Sequence, residues 1–185
     1  MIENTSSLLD LRATVCFSGH RPNNLPDYGD ITKPAMAALY QKLLDEIEIA
    51  ILNDKINFLH GSMAGFDIVA AKAVLQLKEK YPHIRLYSIV PFKHNFLQTK
   101  EWETEWRRRA KAVFKQSDCV KCLEPKYSSG IYYRRNRWLV DHSSLLICYC
   151  ISKSGGTKMT MDYAAKQNIP IINLNGAKQN GTGIR

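Results

Sequence analysis

The strongest constraint on how this chain folds is an alternation of short apolar runs with stretches of helical periodicity. The runs are Ala13–Ser18, Ile56–His60, Ile84–Val90, Cys119–Leu123, Leu145–Cys150 and Ile169–Leu174. Most are continuous rather than alternating in polarity, the pattern of strands covered on both faces. Between the first two, Met36, Leu39, Leu43, Ile47 and Ile51 recur every three or four positions, while Gln41, Asp45, Glu46 and Glu48 fall elsewhere. That is an amphipathic helix. Phe66–Leu77 is apolar nearly all round and predicts the most buried helix. Trp102, Trp106, Ala110 and Val113 form a further helical stripe, and Arg134–His142 and Thr157–Lys166 read as shorter helices. Strand alternating with helix implies parallel strands, right-handed crossovers and helices on both faces. The expectation is one doubly wound α/β domain over 13–174, with about six strands in a mainly parallel sheet. An N-terminal extension (1–12) and a flexible polar tail (175–185) flank it.

A length of 185 residues supports a single domain with a sizeable core. Apolar residues at 45% and charged residues at 23% exclude a disordered or collagen-like chain. No apolar run approaches the roughly 18–20 residues of a membrane span. The first residues, Met1-Ile-Glu-Asn-Thr-Ser-Ser, lack the basic and long apolar regions of a secretion signal. The Cys count is 5, and an odd number fits a reducing compartment better than a disulfide framework. A soluble, cytoplasmic protein without a membrane partner is expected. The formal charge of +9 favours anionic partners such as nucleotides or nucleic acids, without choosing between them.

In an open parallel sheet, ligands bind beyond the carboxyl ends of the strands. The residues there are Ser18-Gly19-His20-Arg21-Pro22 after the first strand, Gly61–Asp67 after the second and Ser154-Gly155-Gly156-Thr157 after the fifth. Each is a Gly-rich turn running from strand to helix. Glycine lets a ligand approach backbone N–H groups, and the following helix adds unpaired donors and the positive end of its dipole. One such loop is ordinarily just a tight connection; three on one edge point to a phosphate cradle. It is not a standard one: there is no Walker A sequence, and Gly61-x-x-x-Gly65 is not the dinucleotide fingerprint. Ser62 and Thr157 can cap helices or donate to a phosphate oxygen. Asp67 can accept from a ribose hydroxyl or from Arg21, or simply favour the dipole of its helix. His20 lies on the same edge. Of Arg134, Arg135 and Arg137, a guanidinium can clamp phosphate, and Arg134 reads as a solvated residue.

These motifs, in this order, resemble the SLOG superfamily, the Rossmann-like group that joins DprA DNA-processing proteins and lonely-guy phosphoribohydrolases. The likeness is to its YpsA-like branch and spans about residues 13 to 174. It implies a Rossmann-like fold and a nucleotide site lined by Gly19, Arg21, Gly61, Ser62, Gly65, Asp67, Arg135, Asn136, Gly155, Gly156 and Thr157. Lonely-guy enzymes carry an Arg-Lys pair and, after the next strand, a glutamate three residues beyond a Gly-Thr pair. Here Arg135 is kept, Asn136 replaces the lysine and Thr160 replaces the glutamate. The resemblance thus implies binding without that family's turnover. The Arg135-Asn136-Arg137 and Ser154-Gly155 sequences resemble those of DprA proteins, which keeps single-stranded DNA open as a ligand.

Other constellations have plainer readings. Cys119-x-x-Cys122 and Cys148-x-Cys150 lie in strands, where residues three apart face opposite ways, so core cysteines are expected and no metal site. Asp141-His142-Ser143-Ser144 holds the residue types of a hydrolytic triad, but neighbours at a helix end cannot assemble it. Trp102 and Trp106 with Arg107-Arg108-Arg109 mix aromatics and cations as nucleic-acid surfaces do. Their continuation into Ala110 and Val113 favours packing.

The sequence therefore points to a domain that binds a nucleotide or nucleotide-derived ligand, of the ADP-ribose or NAD-fragment kind, at the carboxyl edge of its sheet. It would act as a sensor or an N-glycosidic hydrolase. The alternative is a single-stranded nucleic-acid-binding protein of DprA-like character. No further cofactor is implied, a homo-oligomer stays open, and Asp67 is the candidate if there is a catalytic residue.

Overall fold

Six strands form one sheet in the computed structural model of the chain, which describes residues 9–94, 96–100 and 102–176. They are β1 (Thr14–Gly19), β2 (Asn57–His60), β3 (Arg85–Phe92), β4 (Cys119–Glu124), β5 (Leu145–Tyr149) and β6 (Ile171–Asn173). Their order is β4-β3-β2-β1-β5-β6, with every neighbouring pair parallel. The helices are α1 (Pro34–Leu52), α2 (Phe66–Lys80), α3 (Thr104–Gln116), α4 (Ile131–Asp141) and α5 (Gly156–Lys166). The fold is α/β and Rossmann-like, as the alternation in the sequence predicts.

The pleat sorts successive side chains onto opposite faces of the sheet. Val15, Phe17, Phe58, Leu86 and Ile147 pack into one core with α1, α2 and α3. Cys16, Leu59, Ile89, Leu146 and Cys148 face the other way, into a smaller core with Leu139 and Val140 of α4 and Ala164 of α5. Continuous apolar strands are the consequence of this double cover at β1, β2, β3 and β5; β4, at the sheet edge, is only partly covered, so Cys122, expected in the core, is exposed and Cys119 is half-buried. On α2, every residue from Phe66 to Ala71 is buried, in keeping with its all-round apolar sequence.

Two helix starts differ from the sequence periodicity. α4 begins at Ile131 rather than Arg134, because Gly130 takes a left-handed φ of 75° and turns the chain into the helix there. Trp102 lies ahead of α3, yet it is buried with Trp106, Ala110 and Val113. The two tryptophans are core, and their expected packing role holds. Of the flanking segments, Leu9 is buried against the smaller core. The rest of the expected extension through residue 8, and the tail from residue 177, lie outside the described residues. No described helix is long and apolar enough to cross a membrane.

From β1 the chain steps outward through β2 and β3 to β4, then returns through α4 to β5 on the other side of β1. Strand order reverses between β1 and β5, where the connections diverge and open a crevice at the carboxyl ends. Ser18 stands beside Cys148 and Gly19 beside Tyr149, so the two strand ends are level at that crevice.

Candidate functional site

The β1 and β2 junctions interlock through backbone contacts that only glycine permits. A Cβ on Gly19 would fall 2.4 Å from the Phe66 ring, and one on Gly65 (φ 100°) 2.4 Å from the His20 carbonyl oxygen. Phe66 N–H, at the start of α2, donates to that same carbonyl at 3.0 Å. These two glycines therefore serve close packing of loop on loop, rather than exposing backbone to a ligand. His20 is also engaged: its Nε2 accepts from the Ile151 N–H at 2.9 Å and ties the β1 junction to the β5 junction. Burial lowers its pKa, so the ring is neutral around pH 7.

Beneath these loops lies a buried ion pair. Arg135 of α4 brings Nη1 to 3.5 Å from Oδ2 of Asp67 in α2, both side chains being less than a tenth exposed. Asp67 Oδ2 also accepts from the Met63 N–H at 3.2 Å. Gly61 is what admits the guanidinium. A Cβ there would stand 1.7 Å from Arg135 Nη1, 2.3 Å from its Cζ and 2.8 Å from Asp67 Oδ2. Burial works against both charges. It raises the Asp67 pKa against the pull of Arg135, and lowers that of Arg135 to about 10. Arg21, exposed after β1, acts electrostatically on both. The guanidinium groups of Arg21 and Arg135 thus both act on one buried carboxylate, Asp67. Ser62 (φ 63°) is fully buried beside it. Its Oγ and the Arg135 Nε have no hydrogen-bond partner among the described residues.

His60 anchors the β2 end from below. Ser62 N–H donates to its Nδ1 at 3.2 Å, which leaves Nε2 to donate to Ser88 Oγ at 2.6 Å. The chain of hydroxyls continues to Ser117 Oγ at 2.7 Å and ends on the Val113 carbonyl at 3.0 Å. Burial first, and Arg135 second, push the His60 pKa down to about 3, so this ring is a neutral structural strut.

The β5 junction is of a different kind. Gly155 (φ 96°, ψ 179°) precedes α5 with no side-chain cap, and Ser154, Gly155 and Gly156 are exposed. A Cβ on Gly155 or Gly156 would meet nothing within 4 Å. Here the glycines border open space rather than packed chain. Thr157 is buried at the first turn. Asn136 does not join the Asp67 cluster: its Nδ2 donates to Thr160 Oγ1 at 2.9 Å, and Thr160 in turn donates to the Gly156 carbonyl at 2.8 Å. Thr160 back-bonds and fastens α4 to α5.

With this geometry in view, comparison with known proteins is specific. The YpsA family model, described as the YspA SLOG family, matches residues 15–174. The chain belongs to that family. It is 29% identical over 146 residues to the uncharacterized SPbeta prophage-derived protein YoqJ of Bacillus subtilis, covering 72% of this chain and 84% of that one. It is 28% identical over 159 residues to the UPF0398 protein YpsA of the same organism, covering 83% and 84%. Among solved structures it resembles DNA processing protein A from Helicobacter pylori, described for its single-stranded DNA binding mode. The TM-score is 0.59 at 18% identity, over 89% of this chain and 66% of that chain. The corresponding protein of Streptococcus pneumoniae gives a TM-score of 0.61 at 15% identity, over 95% and 54%. The chain thus spans about two thirds and about half of those two proteins, and the likeness to them is one of fold.

Several features of this SLOG chain escaped the linear sequence. The Gly61–Arg135 fit and the Asp67–Arg135 pair join residues on different elements. So does a cavity of about 330 Å³ bounded by Arg21 and Ala64 of the β1 and β2 junctions and by Tyr28, Glu103 and Trp106. Asp141 and His142 end α4 as their position suggests: Asp141 accepts from Tyr163, and His142 stacks on Trp138 at 3.8 Å. Arg134 pairs with Glu124 on the surface, and Arg137 lies 4.6 Å from the Tyr163 ring and 5.7 Å from that of Tyr133. Aromatic and cationic side chains thus meet on α4 and α5, as they do on α3, where Arg109 lies 4.7 Å from the ring of the buried Trp106.

Proposed function

We propose that the protein binds a nucleotide or nucleotide-derived ligand at the carboxyl edge of the sheet, with its phosphate held between the guanidinium groups of Arg21 and Arg135 and the start of α5. One observation carries this reading: a buried arginine, 3.5 Å from Asp67 and packed on Gly61, beneath the Gly-rich loop that follows β2 at the carboxyl edge of the sheet. A buried cation with an unsatisfied N–H is costly unless an anion completes it. The uncapped N-terminus of α5 supplies further donors and the positive end of a dipole. Within that site Gly61, Ser62, Gly65 and Asp67 build the floor, Gly19 and His20 hold the first loop, and Gly155, Gly156 and Thr157 offer backbone and hydroxyl donors. Asn136 acts through Thr160 on the start of α5.

Binding without glycosidic turnover is the form of activity this arrangement favours. Thr160 occupies the position of the lonely-guy glutamate, and its hydroxyl is committed to the Gly156 carbonyl. Asp162 lies on the exposed side of α5, paired with Lys158.

Thermal unfolding with nucleoside monophosphates and ADP-ribose tests the reading. At about 100 times its dissociation constant a ligand adds roughly 2.7 kcal/mol. For a chain of this size that corresponds to a rise of roughly 5–11 °C. Gly156→Val is expected to abolish the rise while leaving the free protein's Tm in place, because its side chain would project into unfilled space. A melting curve unmoved by every nucleotide refutes the proposal.

A second reading, single-stranded DNA binding, is favoured by the fold likeness to DNA processing proteins and by the Tyr133–Arg137–Tyr163 face. It predicts affinity that falls steeply with salt through counterion release, whereas a nucleotide enclosed by a few charges depends on salt much less.

A further inference from the structure

We propose that the cavity between Arg21 and Trp106 is the base-recognition end of the nucleotide site, and that Glu103 selects guanine there. The inference rests on the nucleotide reading of the adjoining cluster. The cavity shares Arg21 with that cluster and Ala64 with the loop leading into α2, so a phosphate on Arg21 leaves the rest of a nucleotide beside it. At about 330 Å³ it is at the small end for ligand sites, with room for one base and sugar rather than a dinucleotide.

Its rim is held by a turn that a chain does not adopt freely. Asp27 (φ 48°), Tyr28 (φ 57°) and Gly29 (φ 75°) are three successive left-handed residues, two of them carrying a Cβ. Such a conformation persists only where its surroundings impose it, and it concentrates at functional sites. Here the surroundings are explicit. Asp27 Oδ2 accepts from the Met36 N–H at 3.1 Å, capping α1 from a distance. Trp106 lies so close beneath Gly29 that a Cβ there would be 2.9 Å from its ring. Arg109 covers the same ring at 4.7 Å and donates to the Gly29 carbonyl at 3.3 Å. The Tyr28 hydroxyl, finally, donates to Glu103 Oε1.

Glu103 sits at the N-cap position of α3, yet its side chain makes no cap hydrogen bond; it reaches to Tyr28 instead. The result is a solvent-exposed carboxylate, held by Tyr28, at the rim of a cavity lined also by Arg21, Pro22, Asn23, Ala64 and Trp106. A carboxylate only accepts hydrogen bonds, so the ligand must bring donors. Guanine presents two adjacent donors, N1–H and the 2-amino group, spaced to match two carboxylate oxygens. Adenine and cytosine set a ring-nitrogen acceptor beside their amino group, which a carboxylate repels. The ring of Tyr28, which is partly open to solvent, and Pro22 suit the flat face of any base and do not discriminate; Glu103 does.

Isothermal titration of the whole chain with GMP, AMP and CMP tests this. GMP is expected to bind about 10-fold tighter than AMP or CMP, the discrimination typical of one good bidentate contact. Glu103→Gln is expected to remove most of that preference by weakening GMP. Glu48→Gln, which deletes a carboxylate from the Lys80 and Tyr81 contacts at the far end of α2, is expected to change neither affinity. If Glu103→Gln melts early, Tyr28→Phe takes its place, since losing the hydroxyl that orients the carboxylate is expected to lower the GMP-to-AMP ratio. Equal binding of GMP and AMP by the natural sequence, or equal loss of both in Glu103→Gln, overturns the guanine assignment and leaves the nucleotide site standing. Failure of every nucleotide to bind overturns both.

Discussion

Gly61→Ala is a one-carbon change with a large expected effect. The added Cβ would lie 1.7 Å from Arg135 Nη1 and 2.3 Å from Cζ, far inside any contact distance. The β2 backbone cannot retreat easily, because Asn57–His60 is paired on both sides, with β1 and with β3. Arg135 must move instead, and it is itself buried, so its guanidinium leaves Asp67 without gaining water. Breaking a buried ion pair while leaving its charges buried costs about 3–5 kcal/mol. At roughly 2–4 °C per kcal/mol for a chain of this length, the Tm is expected to fall by roughly 6–20 °C. Urea unfolding followed by circular dichroism gives the free energy directly. A double-mutant cycle then isolates the cause. Arg135→Ala alone strands the Asp67 carboxylate and is also costly, but it removes the two closest atoms above Gly61 and leaves Asp67 Oδ2, at 2.8 Å, as the one tight contact that must give. Adding Gly61→Ala to Arg135→Ala is therefore expected to cost under about 1 kcal/mol, a strongly non-additive result. Gly61→Ala with a Tm within a degree or two of the natural protein, or two changes whose costs simply add, would refute the account of this glycine as the room made for a guanidinium.

The neutral His60 strut makes stability fall in acid: the unfolded chain takes up a proton below about pH 6.5, the folded one only near 3. The loss is expected to approach about 1.4 kcal/mol per pH unit within that window. Asp67, whose pKa is raised, works the opposite way, gaining stability as pH falls toward 3.8; the difference in slope between the natural protein and His60→Asn, measured from pH 6.5 to 5, isolates the histidine, and parallel slopes would contradict its burial as a neutral ring. Thr160→Ala removes the acceptor of Asn136 and is expected to lower stability by about 1 kcal/mol in thermal unfolding. Neither that variant nor the natural protein is expected to release free base from nucleoside monophosphates. Base release that survives Thr160→Ala but disappears in Asp67→Asn would make Asp67 a catalyst and overturn the binding-only reading.

Short apolar runs and stripes of period 3.6 located the six strands and five α-helices among the described residues to within a few residues, because both are local properties of the sequence. The same local signals placed Trp102 and Trp106 in the core. They also marked the three Gly-rich junctions, though not what each glycine is for. Gly19 and Gly65 look like ligand-facing residues in the sequence, but they pack loop on loop, while Gly155 and Gly156 face open space.

What the sequence by itself determined is thus the list of elements and the edge of the sheet on which the Gly-rich junctions gather. Only the tertiary structure decided which of those residues meet. Asp67 and Arg135 are 68 positions apart and Tyr28 and Glu103 are 75 apart. Each pair is brought together by the sheet order that puts β1 at the centre and by the crossovers on either side of it. A side-chain pattern repeats over a few residues and so specifies local geometry. The meeting of distant loops depends on how whole elements pack, and no short stretch of sequence carries that information.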